Sequence, residues 1–238
     1  MKIAIIDPVV GTSDEVLAAD AAYMKKYLNP NTEFTVERLS SGFMSVETAA
    51  QDTINGAKII EKVVEIQDKG YDGIFIDCFD DPGVLGAREL SKIPVMGPYV
   101  PAIHYAASIS EKVAVITTDS YGVVCEGRKA GEHGFEDVIA AVKNVNMTVL
   151  ELDDEILAEK IKEICLELES EGINAAVMGC TGMDGVADKV RAELKASGCS
   201  VQLIEPLKVG MKMLELAISL QDTNLIKSTP INMDEYIR

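Results

Sequence analysis

Two stretches, FIDCFDDPG at residues 75–83 and VMGCTGMDG at residues 177–185, decide the fold of this chain. Each begins with apolar residues typical of a buried parallel strand and continues into Gly, Asp or Pro, which indicate a turn. Cys78 and Cys180 are therefore expected at the carboxyl ends of two strands. Ligands bind at that edge of open α/β sheets.

The two stretches also look like copies of one unit. Their cysteines lie 102 residues apart, and the same offset relates Gly83 to Gly185. A helical pattern ending in glycine precedes each stretch. The sequence therefore predicts a duplicated α/β unit with one cysteine in each half.

Short apolar runs alternate with helical patterns along the chain. Strands are predicted at residues 2–6, 35–39, 73–77, 93–96, 112–117, 174–178 and 201–204, and helices at 14–28, 46–69, 85–90, 121–132, 154–170, 184–196 and 206–220. This alternation favours right-handed crossovers and mostly parallel sheets. We predict an α/β fold of two similar, mostly parallel-sheet domains, related by a pseudo-twofold duplication, with the active site in the cleft between them. The first domain comprises residues 1–98 plus 207–238 and carries Cys78, and the second comprises residues 99–206 and carries Cys180.

Composition excludes several classes of partner. The 238 residues carry a formal net charge of -17, which argues against nucleic acid, because phosphate binding depends on clustered Lys and Arg. No apolar run is long enough to span a bilayer, which predicts no membrane partner. The apolar run at residues 2–6 is too short for a signal peptide, so we expect a cytoplasmic protein that acts on a small molecule.

The five cysteines are interpreted as free thiols, because a disulfide framework is expected in small secreted chains. No Cys-x-x-Cys motif occurs, and neither His104 nor His133 pairs with a cysteine at the spacing of zinc ligands. We therefore predict no metal. Cys165 and Cys199 are interpreted as structural, while Cys125 stays ambiguous between a structural and a functional role.

Two thiols that face each other across a cleft can act as an acid and base pair. A thiolate removes a proton from a carbon next to a carbonyl, and the opposite thiol replaces it on the other face. A strand-to-helix turn is expected to lower the pKa of each thiol, although nearby carboxylates oppose this if they point inward. The carbanion charge can be held by main-chain N–H donors, here those of Phe79, Asp80, Thr181 and Gly182. This chemistry is racemisation without a cofactor.

At these residues the chain resembles the aspartate/glutamate/hydantoin racemase superfamily. Residues 78–83, CFDDPG, followed by 87–90, AREL, and residues 179–183, GCTGM, are most similar to the hydantoin racemase branch. Amino-acid racemases of the superfamily usually have Asn-Thr after the first cysteine, where this chain has Phe79 and Asp80. The resemblance implies catalysis by Cys78 and Cys180, no cofactor and a homo-oligomer.

The resemblance also implies a set of substrate-binding residues: Pro8, Phe79, Asp80, Thr117, Thr118, Thr181 and Gly182. Two loops that should border the substrate depart from the branch. Residues 7–11, DPVVG, stand where hydantoin racemases usually have Asn-Pro-Asn-Thr, and residues 97–101, GPYVP, lack the acidic residue of the family. Ser41, Gly42, Glu47 and Thr48 lie in a loop and helix start that commonly border the pocket in this family, and they are interpreted as ordinary loop residues.

Three alternatives stay open at this point. The favoured function is a cofactor-independent racemase or epimerase acting on a hydantoin-type substrate. Other chemistry of the superfamily is the second, namely amino-acid racemisation, isomerisation or decarboxylation. The third is a non-catalytic intracellular protein that binds a small molecule.

Overall fold

The computed structural model describes residues 1–221. The first half contains β1 (Lys2–Asp7), α1 (Asp14–Lys25), β2 (Glu33–Arg38), α2 (Ala49–Ile66), β3 (Gly73–Ile76), α3 (Val84–Leu90) and β4 (Val95–Met96). The second half contains α4 (Tyr99–Ile109), β5 (Val113–Thr117), α5 (Ser120–His133), β6 (Ile139–Asn144), α6 (Asp154–Ser170), β7 (Ala175–Met178), α7 (Ala187–Ser197) and β8 (Gln202–Ile204). Helix α8 (Pro206–Ser219) closes the described chain.

Two parallel sheets with the same strand order form the centre of the molecule. The first has the order β2-β1-β3-β4 and the second has the order β6-β5-β7-β8. All neighbouring strands run parallel, and β3 and β7 occupy equivalent positions beside β1 and β5. This arrangement confirms the predicted α/β fold of two similar parallel-sheet units.

The inner strands are apolar along their whole length because helices cover both faces of each sheet. Residues of β3 and β7 are buried throughout. Helix α8 returns to the first sheet, where Leu207, Met211 and Leu214 pack with Ile3 and Phe75. The domain boundaries at residues 98 and 206 stay a prediction, and residues 222–238 of the predicted first domain lie outside the described residues.

Side chains at the helix starts explain where α1 and α2 begin. Ser13 caps α1, since its Oγ accepts the amide of Val16 at 3.3 Å. Thr48 and Gln51 form a capping box at the start of α2. Helix α2 consequently begins beside the loop that follows β2, close to the carboxyl edge of the first sheet.

Two elements differ from the sequence prediction. Helix α4 begins at Tyr99, inside the stretch interpreted as a loop, because Pro98 and Pro101 lie at positions before and within the first turn, where no intrahelical amide bond is lost. Strand β6 was not predicted. It is an edge strand that mixes half-buried and exposed residues, so its sequence lacks a clear period.

One glycine is required where α2 touches the start of α3. Gly83 has a φ of +71°, and a Cβ there would lie 2.4 Å from the carbonyl oxygen of Gly56. We expect Gly83→Ala to lower the free energy of unfolding by roughly 2–4 kcal/mol, measured by urea denaturation, because backbone strain and overpacking act together.

The matched control for that substitution is Gly70→Ala. Gly70 has a similar φ of +81°, but nothing lies within 4 Å of a Cβ placed there. This variant should lose only the backbone contribution, about 1 kcal/mol. Equal losses in the two variants would contradict the role given to the contact between Gly83 and Gly56.

Among the helices of residues 1–221, none combines the length and the apolar character needed to cross a membrane.

Candidate active site

Both motif cysteines line a single cavity of about 380 Å³ between the two sheets. Cys78 follows the end of β3, and Cys180 follows the end of β7. Because β3 and β7 are equivalent strands of the two sheets, the cysteines reach the cavity from matching positions. The two thiols are close enough to interact, since Cys180 helps to raise the pKa of Cys78.

Most residues predicted to bind substrate also line this cavity. They are Phe79, Asp80, Thr117, Thr118 and Thr181. Thr117 is the last residue of β5, and Thr118 follows it. Their buried side chains therefore lie at the same edge as the cysteines.

Pro8 and Gly182 do not line the cavity. The carbonyl of Pro8 accepts a hydrogen bond from Asn55 Nδ2 at 2.9 Å, which ties the loop after β1 to α2. Gly182 lies behind Cys180, where a Cβ would come within 3.5 Å of the sulfur. Their binding roles stay predictions.

A main-chain amide donates to each sulfur from the residue two positions later. The amide of Asp80 donates to Cys78, and the amide of Gly182 donates to Cys180. The duplication therefore extends from the strands to the hydrogen bonds of the two thiols. Both amides lower the pKa of the thiol that accepts them.

The expectation of lowered thiol pKa values is wrong for this structure. Burial raises the pKa of Cys180 to about 12, with Asp80 adding to the increase. Burial also raises the pKa of Cys78, and Asp80 again adds to it. The physical reason is burial, which outweighs the main-chain amides that donate to the two sulfurs.

The three aspartates near the thiols point in different directions. Asp80 faces α5, where its Oδ1 accepts from Lys129 Nζ at 2.8 Å. Asp81 turns inward in a left-handed conformation, φ 52°, and accepts the amide of Tyr99 at 3.2 Å. Asp184 is buried next to Glu205 and Asp77, and burial holds its pKa well above the ordinary value.

The sequence did not reveal several further residues of the cavity. Glu47 and Thr48, interpreted as ordinary loop residues, line it, and Glu47 also accepts the amide of Val149 at 2.8 Å. Asp52 from α2 and Cys125 from α5 line it as well. The other charged additions are four residues of α5: Glu126, Arg128, Lys129 and Glu132. One sequence signal could have indicated Glu126 and Lys129, because both are charged residues on the buried face of α5.

Most of the chain is similar to known proteins in sequence and in structure. The sequence model of the Asp/Glu/Hydantoin racemase family matches residues 3–214. A hydantoin racemase of Rhizobium meliloti is 30% identical over 218 residues, covering 90% of this chain and 88% of that protein. An allantoin racemase of Klebsiella pneumoniae has a similar structure, with a TM-score of 0.84, 28% identity, and coverage of 94% of this chain and 90% of that one. The allantoin racemase of Pseudomonas fluorescens has a TM-score of 0.85 at 20% identity, covering 98% and 99% of the two chains.

These similarities define the protein as an isomerase of the racemase class, and a hydantoin racemase-like one. The chain belongs to the Asp/Glu/hydantoin racemase family. The resemblance drawn from the two cysteine motifs is therefore confirmed.

Proposed function

We propose that the protein inverts an acidic carbon of a hydantoin-type substrate with Cys78 and Cys180 as a cofactor-independent acid and base pair. The observation that carries the proposal is the position of both thiols at equivalent strand ends on one cavity. A hydantoin racemase and an allantoin racemase among the relatives support the class of substrate.

In the proposed reaction one sulfur starts as a thiolate and the other as a thiol. The thiolate of Cys78 takes the proton from the stereogenic carbon, and the electron pair of the C–H bond moves into the adjacent carbonyl as an enolate. The thiol of Cys180 then donates its proton to the opposite face of the carbon. The enantiomer is formed, and the protonation states of the two sulfurs are exchanged. The other enantiomer reacts in the reverse direction.

The buried environment of the thiols suits a weakly acidic carbon. A thiolate whose pKa is raised by burial is a stronger base than an ordinary thiolate, so it is better matched to a C–H bond next to a ring carbonyl. Thr117 and Thr118 line the cavity, and their hydroxyl groups can donate to the enolate oxygen.

The charges around the cavity favour a neutral ring over a dicarboxylate. The lining carries five carboxylates, Glu47, Asp52, Asp80, Glu126 and Glu132, but two cations, Arg128 and Lys129. Lys129 is already paired with Asp80 and Glu126. A substrate with amide N–H donors meets acceptors at this surface, whereas a second substrate carboxylate would be repelled.

The proposal is tested by a panel of single enantiomers in D₂O. We expect 5-monosubstituted hydantoins, allantoin or both to lose optical rotation and to incorporate one solvent deuterium, without release of carbon dioxide. Aspartate should keep its rotation under the same conditions. Turnover of aspartate alone, or release of carbon dioxide from a malonate, would overturn the hydantoin-type assignment in favour of the other superfamily chemistries.

The cytoplasmic location and the homo-oligomeric state expected from the sequence stay predictions. So does the absence of a metal or cofactor, although the described residues 1–221 contain no group of three or more His, Cys, Asp or Glu side chains placed to hold a metal ion.

A further inference from the structure

The most unusual side chain near the thiols is a buried lysine. Lys129 comes from α5 in the second half, and its side chain is only 9% exposed. Its Nζ donates to Glu126 Oε1 at 2.7 Å, to Asp80 Oδ1 at 2.8 Å and to the carbonyl of Phe79 at 3.3 Å. The rings of Tyr99 and Phe79 lie 4.3 Å and 4.6 Å from the same nitrogen.

These contacts use the whole donor capacity of the lysine. An ammonium group has three N–H donors, and here three oxygens accept them while two aromatic rings cover it. Lys129 is therefore not free to bind a substrate anion, even though it lines the cavity.

Two of the three acceptors belong to the loop that carries Cys78. The carbonyl of Phe79 is part of the peptide group whose N–H donates to the Cys78 sulfur, and Asp80, which supplies that N–H, also carries the carboxylate. The Phe79 ring is buried with Tyr99 and Ile103 in the core of the second half, where it meets the Tyr99 ring edge-on at 5.1 Å. Lys129 thus joins a loop of the first half to a helix of the second.

We propose that Lys129 is a positioning residue for the reaction: it holds the Cys78 loop against the second half, so that Cys78 faces Cys180, and it neutralises Asp80 beside the Cys78 sulfur. The effect of Lys129 on the reaction rests on the proposed function. The effect of Lys129 on the Cys78 loop rests only on the contacts of Lys129.

The electrostatics agree with this role. Burial acts to lower the pKa of Lys129, but Asp80 and Glu126 outweigh it and raise that pKa overall, so the ammonium stays charged. Burial is the main cause that raises the pKa of Cys78, and the charges of Asp80 and Cys180 add to it, whereas the Asp80 amide and Lys129 lower that pKa. Removal of Lys129 would leave the carboxylates of Asp80 and Glu126 uncompensated, and Asp80 acts directly on the Cys78 thiol that must ionise.

The test uses Lys129→Met, Asp80→Asn and the double variant, with Lys143→Met as the control. Lys143 is also held by two carboxylates, at 2.9 Å from Glu167 and 2.8 Å from Glu171, but it lies on β6 at the surface. The first readout is the rate at which iodoacetamide alkylates Cys78 between pH 7 and 10, followed by peptide mass spectrometry. This readout needs no substrate, so it separates failure of the inference from failure of the proposed function.

We expect Lys129→Met to slow Cys78 alkylation at pH 8 at least tenfold and to shift its pH profile upward. Asp80→Asn should speed alkylation at least threefold, and the double variant should recover most of the loss. With a substrate, Lys129→Met should lower kcat at least a hundredfold in both directions, with KM changed less than fivefold. Lys143→Met should leave all of these quantities within twofold of the wild type.

Two results would overturn the inference. One is a Cys78 alkylation profile in folded Lys129→Met that matches the wild type. The other is an unchanged profile in Asp80→Asn, which remains decisive if the lysine variant does not fold. A loss of stability without a change in Cys78 reactivity would count as a packing role and equally refute the proposal.

Discussion

Replacement of Cys78 or Cys180 by serine is expected to lower the rate of racemisation at least about a thousandfold in both directions. In the proposed mechanism each sulfur serves as the base for one enantiomer and as the acid for the other, so either loss blocks the complete cycle. A serine hydroxyl is too weak an acid and base to replace the thiol, and acid and base catalysis of this kind is worth about 10²–10⁴-fold. Polarimetry on both enantiomers measures the loss.

Deuterium exchange distinguishes the two variants further. A variant that keeps one sulfur can still remove and return a proton on one face, so exchange without inversion should persist for one enantiomer only. The enantiomer that exchanges should differ between Cys78→Ser and Cys180→Ser. Cys199→Ser is the control, because Cys199 is half-exposed and does not line the cavity. Full racemisation by either single variant would contradict the two-base mechanism.

Replacement of Asp77 by asparagine is expected to remove part of the pH dependence of folding stability. Burial raises the pKa of Asp77 in the folded protein to about 7, against a hydrogen bond from Thr181 that lowers it. Between the ordinary pKa and this value the folded state binds a proton that the unfolded chain has released, so stability is lost as the pH rises. The wild type should lose on the order of 2 kcal/mol more than Asp77→Asn between pH 5 and pH 8.

Urea denaturation at pH 4, pH 5 and pH 8 measures this difference. At pH 8 the variant should be the more stable protein, and at pH 4 the two should be close. Asp137→Asn, at an exposed position, is the control and should follow the wild type. An identical loss of stability in wild type and Asp77→Asn would show that the Asp77 carboxyl is not held neutral by burial.

The sequence predicted the features that repeat locally and missed those that depend on distant partners. The position of Cys78 after β3 follows from a short apolar run and a turn. Strand β6 was missed because an edge strand has no strict period. The thiol pKa values were misjudged because burial at the seam of two sheets outweighs the turn itself.

The contacts of Lys129 show the same limit. Its position on the buried face of α5 is a local signal, but its partner Asp80 lies 49 positions away along the chain. No pattern in either segment relates the two. Only the packing of the two halves brings them together.

The burial of the Phe79 ring in the second core has a consequence for how the enzyme can move. A hinge motion that opened the cleft would have to pull this ring out of its apolar surroundings, at a cost of roughly 2–3 kcal/mol, and separate Lys129 from its acceptors. The spacing of the two sulfurs is therefore protected by the cohesion of the hydrophobic core. If the two thiols are the proposed acid and base pair, their relative position is therefore set when the chain folds, before a substrate binds.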